Sequence, residues 1–203
     1  YYPGALDGAV SAETYIKASA EALNFSSNLP VVVMSTLGRG SPPETSSKIR
    51  KAAYMFFYEP DPETGRTVLN GEADLGTRAG LRKRGSSSGG WPKYAMSVET
   101  WNDGDDEDRN IKPLGFSREA DWILSSRYQF DRALMRNPLI YDLSRQIGRY
   151  ATRTRFVEVF NDVNGGNLDA GSDYFGVYAF MEKVEADEDA TLSDDSELGL
   201  EDD

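Results

Sequence analysis

The chain has 203 residues and 39% of them are hydrophobic, which is enough to bury one core. It contains no Cys and no His, which excludes disulfides, thiolate catalysis, and triads or metal sites built on those residues. The formal net charge is −12, but residues 185–203 carry ten acidic residues and no basic ones, which leaves −2 for residues 1–184. An almost neutral body has no general attraction for nucleic acid, and we expect no nucleic-acid partner. No apolar run has the length of a membrane span.

The N-terminal part of the chain predicts a linker followed by the first strand. Residues 1–28 mix Gly, Ala, Ser and Asn, as expected of a linker from a preceding module. A short helix is predicted over Ala12–Leu23, with Ser11 as its N-cap and Asn24 after its end. The β-branched run Leu29–Thr36 then predicts a strand.

Four more strands are predicted before residue 102. Ala52–Glu59 is a strand, and the Pro- and Gly-rich segment Pro60–Gly65 makes a turn. Thr67–Leu69 is expected to return beside Ala52–Glu59 as its hairpin partner. Gly80–Arg84 and Lys93–Trp101 are the next two strands, so the first half of the chain is rich in β structure.

A turn rich in Gly and Ser separates these last two strands and comes just before Lys93. Alternation along the strand places Lys93 on the face that carries the short side chains Ala95 and Ser97, together with Glu99. Such a lysine is able to reach the phosphates of a nucleotide, while N–H groups of the turn cradle the anion. An ordinary hairpin with a solvated lysine fits the same pattern. P-loop and Rossmann motifs are absent.

The second half of the chain predicts one main helix. Asp131–Gly148 has an apolar face formed by Leu139, Leu143 and Ile147, and Pro138 is expected to kink or restart the helix. A second, short helix is expected to begin near Asp121.

An antiparallel pair of strands follows, Arg155–Phe160 and Tyr174–Val184. On the second of them, Glu182 shares a face with Tyr178 and is a candidate to border a ligand pocket. An exposed carboxylate at the end of a strand is the alternative interpretation.

Two groups of aspartates supply oxygen atoms of the kind that hard cations bind. They are Asp103, Asp105, Asp106 and Asp108, and Asp162, Asp169 and Asp173. Neither group has EF-hand spacing, and solvated loop charge explains both better than a metal cage does. We therefore assign no metal ligands from the sequence.

The most specific motif surrounds the Gly/Ser turn. Leu81–Ser88 followed by Trp91-Pro92-Lys93 matches the pattern Arg-Gly-x-Ser-Ser…Pro-Lys. Further motifs follow in order at Asp121–Leu124, Asp131–Asn137, Tyr150–Val159 and Tyr174–Tyr178, the last leading to Glu182. On these residues the chain resembles the CotH (spore coat protein H) kinase family, from about residue 29 to 184.

Members of that family resemble atypical protein kinases, which transfer phosphate from ATP to Ser of secreted or surface proteins. The resemblance implies ATP and Mg²⁺ as cofactors, with a nucleotide and an exported protein substrate as partners. It also implies an α+β fold, a protein-kinase-like N-lobe that is mostly antiparallel sheet with one main kinked helix, and incomplete. Lys93 would hold the α- and β-phosphates, and Asp131 would orient Lys93. The full set expected at the nucleotide is Lys93, Arg84, Gly85, Ser86, Ser87, Ser88, Asp131 and Glu182.

The chain departs from the family after Glu182. There the family has its metal-binding and catalytic acidic residues, whereas residues 185–203 here are acidic without an apolar pattern. We expect a linker over 1–28, a partial kinase domain over 29–184 and a disordered acidic tail over 185–203. The catalytic residues stay unassigned, and this chain alone is expected to be inactive.

Two functions are compatible with the sequence. The first is an extracellular or cell-surface bacterial kinase, with adjoining domains in the same polypeptide. The alternative is a noncatalytic surface, adhesion or structural interaction module of a multidomain exported protein.

Overall fold

The structure, a computed structural model, describes residues 14–86, 88–126, 131 and 133–184. Most of these residues lie in β-strands. The elements in chain order are β1 (Lys17–Ala18), α1 (Ala20–Leu23), β2 (Ser26–Ser27), β3 (Val31–Ser35), β4 (Lys51–Tyr58), β5 (Thr67–Val68), β6 (Leu75–Arg84), β7 (Ala95–Trp101), β8 (Asp121–Ser125), α2 (Arg136–Gln146), β9 (Thr154–Asp162), β10 (Asn167–Leu168) and β11 (Tyr174–Glu182).

Seven of the strands form a closed barrel in the order β11-β8-β7-β6-β4-β3-β9, with β9 pairing back to β11. Six of the seven pairings are antiparallel, and β3 with β9 is parallel. A barrel with an odd number of strands needs one parallel pair in order to close. Strands β3, β6, β8 and β9 therefore finish at one end of the barrel, the turn end, and β4, β7 and β11 finish at the opposite end.

Alternating side chains along the strands fill the barrel. Trp122 and Phe180 stack at its centre with ring centroids 5.0 Å apart, and Phe57 contacts Phe180 edge to face at 5.8 Å. The apolar side chains buried with them include Val32, Met34, Met55, Leu81, Met96, Val98, Leu124, Val157, Val159 and Tyr178. The interior is thus a packed core, and ligand sites belong on the outside of the barrel or at its ends.

The expected α+β, kinase-like N-lobe is wrong, because the structure is mostly β with a closed seven-stranded barrel and only two described helices. Period-two alternation indicates strands without saying which strands pair. Closure depends on β3 pairing with β9, two segments separated by more than 100 residues in the chain.

The main helix begins at Arg136 instead of Asp131 and ends at Gln146. Pro138 lies in its first turn, where the missing N–H has no partner in any helix, so the proline is tolerated there. The predicted apolar face points to solvent: Leu139, Leu143 and Ile147 are 51%, 46% and 73% exposed. The helix packs on the barrel through Tyr141 instead.

Three smaller predictions also differ from the structure. Thr67–Val68 pairs with Ser26–Ser27, and β4 pairs with β6. Asp121 begins strand β8, not a helix. Helix α1 has four residues and is capped by Ser19, whereas the predicted start of that helix lies outside the described residues.

The antiparallel pair formed by β9 and β11 is confirmed. Within the described ranges, no helix is long and apolar enough to cross a membrane.

Candidate functional site

A cleft of about 450 Å³ runs along the outer face of β8. The Gly/Ser turn after β6 closes one side, and the C-terminal end of β11 and helix α2 close the other. Its lining residues are Arg84, Gly85, Ser88, Trp91, Ala95, Ile123, Ser125, Ser126, Asn137, Tyr141, Thr152, Met181, Glu182, Lys183 and Val184. We call it the outer cleft.

Backbone geometry fixes the Gly/Ser turn at the mouth of this cleft. Gly85 has φ of +103°, which favours glycine, and a Cβ there would also require the Ser88 hydroxyl to move. The Thr45 hydroxyl lies 3.0 Å from the carbonyl oxygen of Lys83 and 3.1 Å from that of Gly85. Arg84 lies at the end of β6 and is exposed.

Lys93 lies at the turn end of the barrel and does not line the outer cleft. Its Nζ donates to the carbonyl oxygen of Val177 at 2.6 Å and lies 4.9 Å from the ring centroid of Tyr178. A Cβ on Gly176 would come within 3.1 Å of that nitrogen, so glycine makes room for it. Desolvation lowers the pKa of Lys93, and the negative charge of Glu158 partly opposes the shift.

Asp131 acts at the start of the main helix. Its buried carboxylate accepts a hydrogen bond from the backbone N–H of Arg136 at 2.7 Å, and its carbonyl oxygen accepts one from Leu134. This satisfies one of the unpaired N–H groups in the first turn of α2. Asp131 thus makes its described hydrogen bonds at the start of α2, whereas the Lys93 ammonium group donates to Val177. No described hydrogen bond joins Asp131 to Lys93.

Glu182 and Lys183 bring opposite charges to the far wall of the outer cleft. Glu182 pairs with Arg153 at 3.2 Å, and Lys183 Nζ lies 3.1 Å from a carboxylate oxygen of Asp121. Asp121 is in turn 3.7 Å from Arg50, which pairs with Glu99 at 2.7 Å. This network fixes the end of β11 against β7 and β8.

The structure therefore brings four of the eight predicted residues together. Arg84, Gly85, Ser88 and Glu182 line one cleft, whereas Lys93, Asp131 and Ser86 are not among its lining residues. Ser87 lies outside the described residues.

Sequence reasoning missed several residues of the outer cleft: Trp91, Ser125, Ser126, Asn137, Tyr141, Thr152 and Lys183. Trp91, Asn137 and Thr152 lie within the motifs of the family resemblance, and Lys183 follows Glu182 directly, but these signals did not show that the residues reach the cleft. Ser126 donates from its hydroxyl to the carbonyl oxygen of Lys93 at 2.9 Å, which connects the cleft wall to the lysine.

The aspartate groups serve local structure. Asp106 pairs with Arg78 at 2.7 Å, and Asp162 accepts from the Ser35 hydroxyl and from the Gly165 N–H. Burial, together with the nearby charges of Glu99 and Asp121, raises the pKa of Asp108. Within the described residues no group of three or more potential ligands is placed to hold a metal ion.

The outer cleft combines cations, a carboxylate and an apolar floor. Arg84 and Lys183 supply the positive charge, Ile123 and Met181 are apolar, and Tyr141 is aromatic. Such a combination suits an anionic ligand that also has a flat apolar part. Fold and cleft thus define a β-barrel domain with a cleft on its outer face.

The chain belongs to the CotH kinase family. The family model described as CotH kinase protein matches residues 81–199, more than half of the chain. The match begins in β6 and includes the Gly/Ser turn, Lys93, α2 and β11, so the predicted resemblance is confirmed. A kinase-like function follows at the level of the family. No curated protein significantly matches the chain.

Proposed function

We propose that this chain is the nucleotide-binding part of a CotH-type protein kinase, with ATP bound in the outer cleft. The observation that carries the proposal is the convergence of Arg84, Gly85 and Ser88, all from the family-matched turn, with Glu182 around one cavity. The volume of about 450 Å³ lies in the range of small-molecule sites, which is about 300–1,000 Å³.

The phosphates belong near Arg84, where a charged group and the backbone of a glycine-containing turn meet. The base belongs deeper in the cleft, against the apolar side chains of Ile123 and Met181 and the ring of Tyr141. In a kinase, such a site acts chiefly by positioning the nucleotide and by stabilising the charge that develops on the transferred phosphoryl group.

Lys93 needs a separate test, because the family resemblance assigns it to the α- and β-phosphates. In this structure its ammonium group is bound by the carbonyl oxygen of Val177 and faces the ring of Tyr178. Contact with phosphate requires the Nζ to leave Val177. Arg84, in contrast, is one of the residues that line the outer cleft.

Mg²⁺ is part of the proposal through the family alone. Sites for Mg²⁺ usually combine one or two carboxylates with substrate phosphates. Among the described residues that line the cleft, Glu182 is the one carboxylate, and it is paired with Arg153. The described residues therefore do not form a magnesium site, and we assign no catalytic step to the metal.

The proposal further includes Ser of an exported protein as phosphate acceptor and an extracellular or cell-surface location, both from the family resemblance. The second candidate is a noncatalytic binding module of a multidomain exported protein. The lack of a set of acidic residues around the cleft, within the described part of the chain, favours it.

Calorimetric titration of the full chain with ATP, with and without Mg²⁺, tests the site. Arg84→Ala is expected to weaken ATP binding about 10- to 100-fold, because a hydrogen bond to a charged group contributes about 1.5–3 kcal/mol. Arg39→Ala is the matched control, since Arg39 is an exposed arginine that does not line the cleft. Lys93→Ala is measured in parallel.

The outcomes separate the assignments. A loss in Lys93→Ala as large as in Arg84→Ala assigns both cations to the phosphates. Equal affinity in Arg84→Ala and Arg39→Ala contradicts the outer cleft as the nucleotide site. No binding by the folded chain, with or without Mg²⁺, favours the noncatalytic module.

A further inference from the structure

A second cleft, of about 680 Å³, lies at the opposite end of the barrel from the Gly/Ser turn. Five basic side chains and two acidic ones line it: Arg118, Arg145, Arg149, Arg153 and Lys183, with Glu119 and Glu182. We call it the basic cleft. A concentration of positive charge in a chain of net charge −12 indicates a surface for an anionic ligand.

Three of these cations are already bound within the protein. Arg153 pairs with Glu182 and also donates to Ser117, and Arg145 pairs with Asp142 at 3.1 Å. Lys183 pairs with Asp121, as described above.

Arg118 and Arg149 are different, because both are exposed. Neither makes a hydrogen bond or ion pair through its side chain with any residue that the structure describes. The basic cleft therefore presents two guanidinium groups ready to bind carboxylates in the bidentate geometry that arginine favours.

The position of the basic cleft along the chain points to its ligand. Val184 lines this cleft and is the last described residue before segment 185–203. That segment carries ten acidic residues and no basic ones, and it is joined through the chain to Val184 in the wall of the basic cleft. A tethered ligand has an effective concentration on the order of mM, so even a weak electrostatic contact is populated.

We propose that the basic cleft binds the acidic segment 185–203 of the same chain, with Arg118 and Arg149 as the principal contacts. Acidic side chains of the segment would neutralise Arg118 and Arg149, which pair with no carboxylate among the described residues. Glu182, Lys183 and Val184, which directly precede the segment, line both the basic cleft and the outer cleft. The inference does not depend on nucleotide binding.

Paramagnetic relaxation in the full chain tests this directly. The chain has no cysteine, so Ser196→Cys creates a single site for a nitroxide label. The label is expected to broaden the amide signals of Arg118, Arg149 and Arg153 in the ¹⁵N-labelled protein. The broadening is expected to disappear at 1 M NaCl, where the Debye length falls to about 3 Å.

Charge reversal provides the matched comparison. Arg118→Glu with Arg149→Glu is expected to abolish the broadening around the basic cleft. Arg39→Glu with Lys48→Glu makes the same change in net charge at the turn end of the barrel, on two exposed side chains, and is expected to retain it.

Four results would overturn the proposal. The first is absence of broadening near residues 118 and 149, and the second is broadening that survives the Arg118→Glu, Arg149→Glu exchange. The third is broadening seen only between mixed molecules, one nitroxide-labelled and one ¹⁵N-labelled, which makes the contact intermolecular. The fourth is binding of a free peptide of sequence 185–203 to the cleft when the attached segment does not bind, which assigns the cleft to an external acidic peptide.

Discussion

Gly80 occupies the middle of β6, next to the indole of Trp101. A Cβ at this position would overlap ring carbons of Trp101, which is buried and donates from its indole N–H to Glu99 at 2.9 Å. The guanidinium of Arg78 also lies over this ring, 5.8 Å from its centroid. An added methyl group must therefore displace the indole or the backbone of β6.

We expect Gly80→Ala to lower the free energy of unfolding by about 1–3 kcal/mol, as overpacked cores do. Gly76→Ala, four residues earlier in the same strand, is the control, because its Cβ would meet only ring atoms of Phe56 at an ordinary 3.5 Å. Urea unfolding of the two variants measures the difference. Equal stabilities would mean that Trp101 does not hold the position described.

The position of the Lys93 side chain depends on both a local motif and a tertiary contact. The motif Trp91-Pro92-Lys93 was visible in the sequence, but the space for the ammonium group is made by Gly176, 83 positions later. Gly176 has φ of +95°, so two separate properties, backbone conformation and lack of a Cβ, favour glycine there. No local pattern around Lys93 contains this information.

At the scale of elements, helix α2 lies on the barrel with the face opposite to the one its apolar pattern indicates. Tyr141 packs against Ile123, Ala179 and Met181 on the outer face of β8 and β11, while Leu143 is 46% exposed. Apolar spacing gives the period of a helix, but the covered side is decided by what it packs against.

Two alanine substitutions in α2 test this orientation. Tyr141→Ala is expected to lower the free energy of unfolding by about 1–2 kcal/mol, roughly half the cost of truncating a fully buried aromatic residue. Leu143→Ala is expected to change it by less than about 0.5 kcal/mol, since exposed substitutions have small effects. Thermal or urea unfolding checks both values. The reverse order of the two costs would show that the leucine face is the one that packs on the barrel.

Strands were the elements that the sequence predicted best. Alternation and β-branched runs located β3, β4, β7, β9 and β11 to within a few residues. The candidate site was likewise predictable only in part. Arg84, Gly85 and Ser88 belong to one local motif. Tertiary packing is what brings Asn137, Tyr141 and Thr152 to the cleft. What the sequence could not supply was strand order.

For the molecule as a whole, closure of the barrel depends on the parallel pairing of β3 with β9. Val31–Ser35 pairs with Glu158–Asp162 on one side and with β4 on the other. In the kinase-like lobe that was expected, an open sheet would leave two edge strands with unpaired backbone groups. In the closed barrel, each of the seven strands has a hydrogen-bonded neighbour on both sides.

Amide hydrogen exchange distinguishes these two arrangements in solution. Backbone N–H groups of Val32–Met34 and Val157–Phe160 are expected to exchange with the same free energy as those in β6 and β7, because opening any of these strands breaks the barrel. The two-residue pair of β2 with β5 serves as an internal reference and is expected to exchange faster, since little of the core depends on it. If β3 or β9 opens at a lower free energy than β6, the parallel pairing is a weak contact between sheet edges, and the domain behaves in solution as an open sheet.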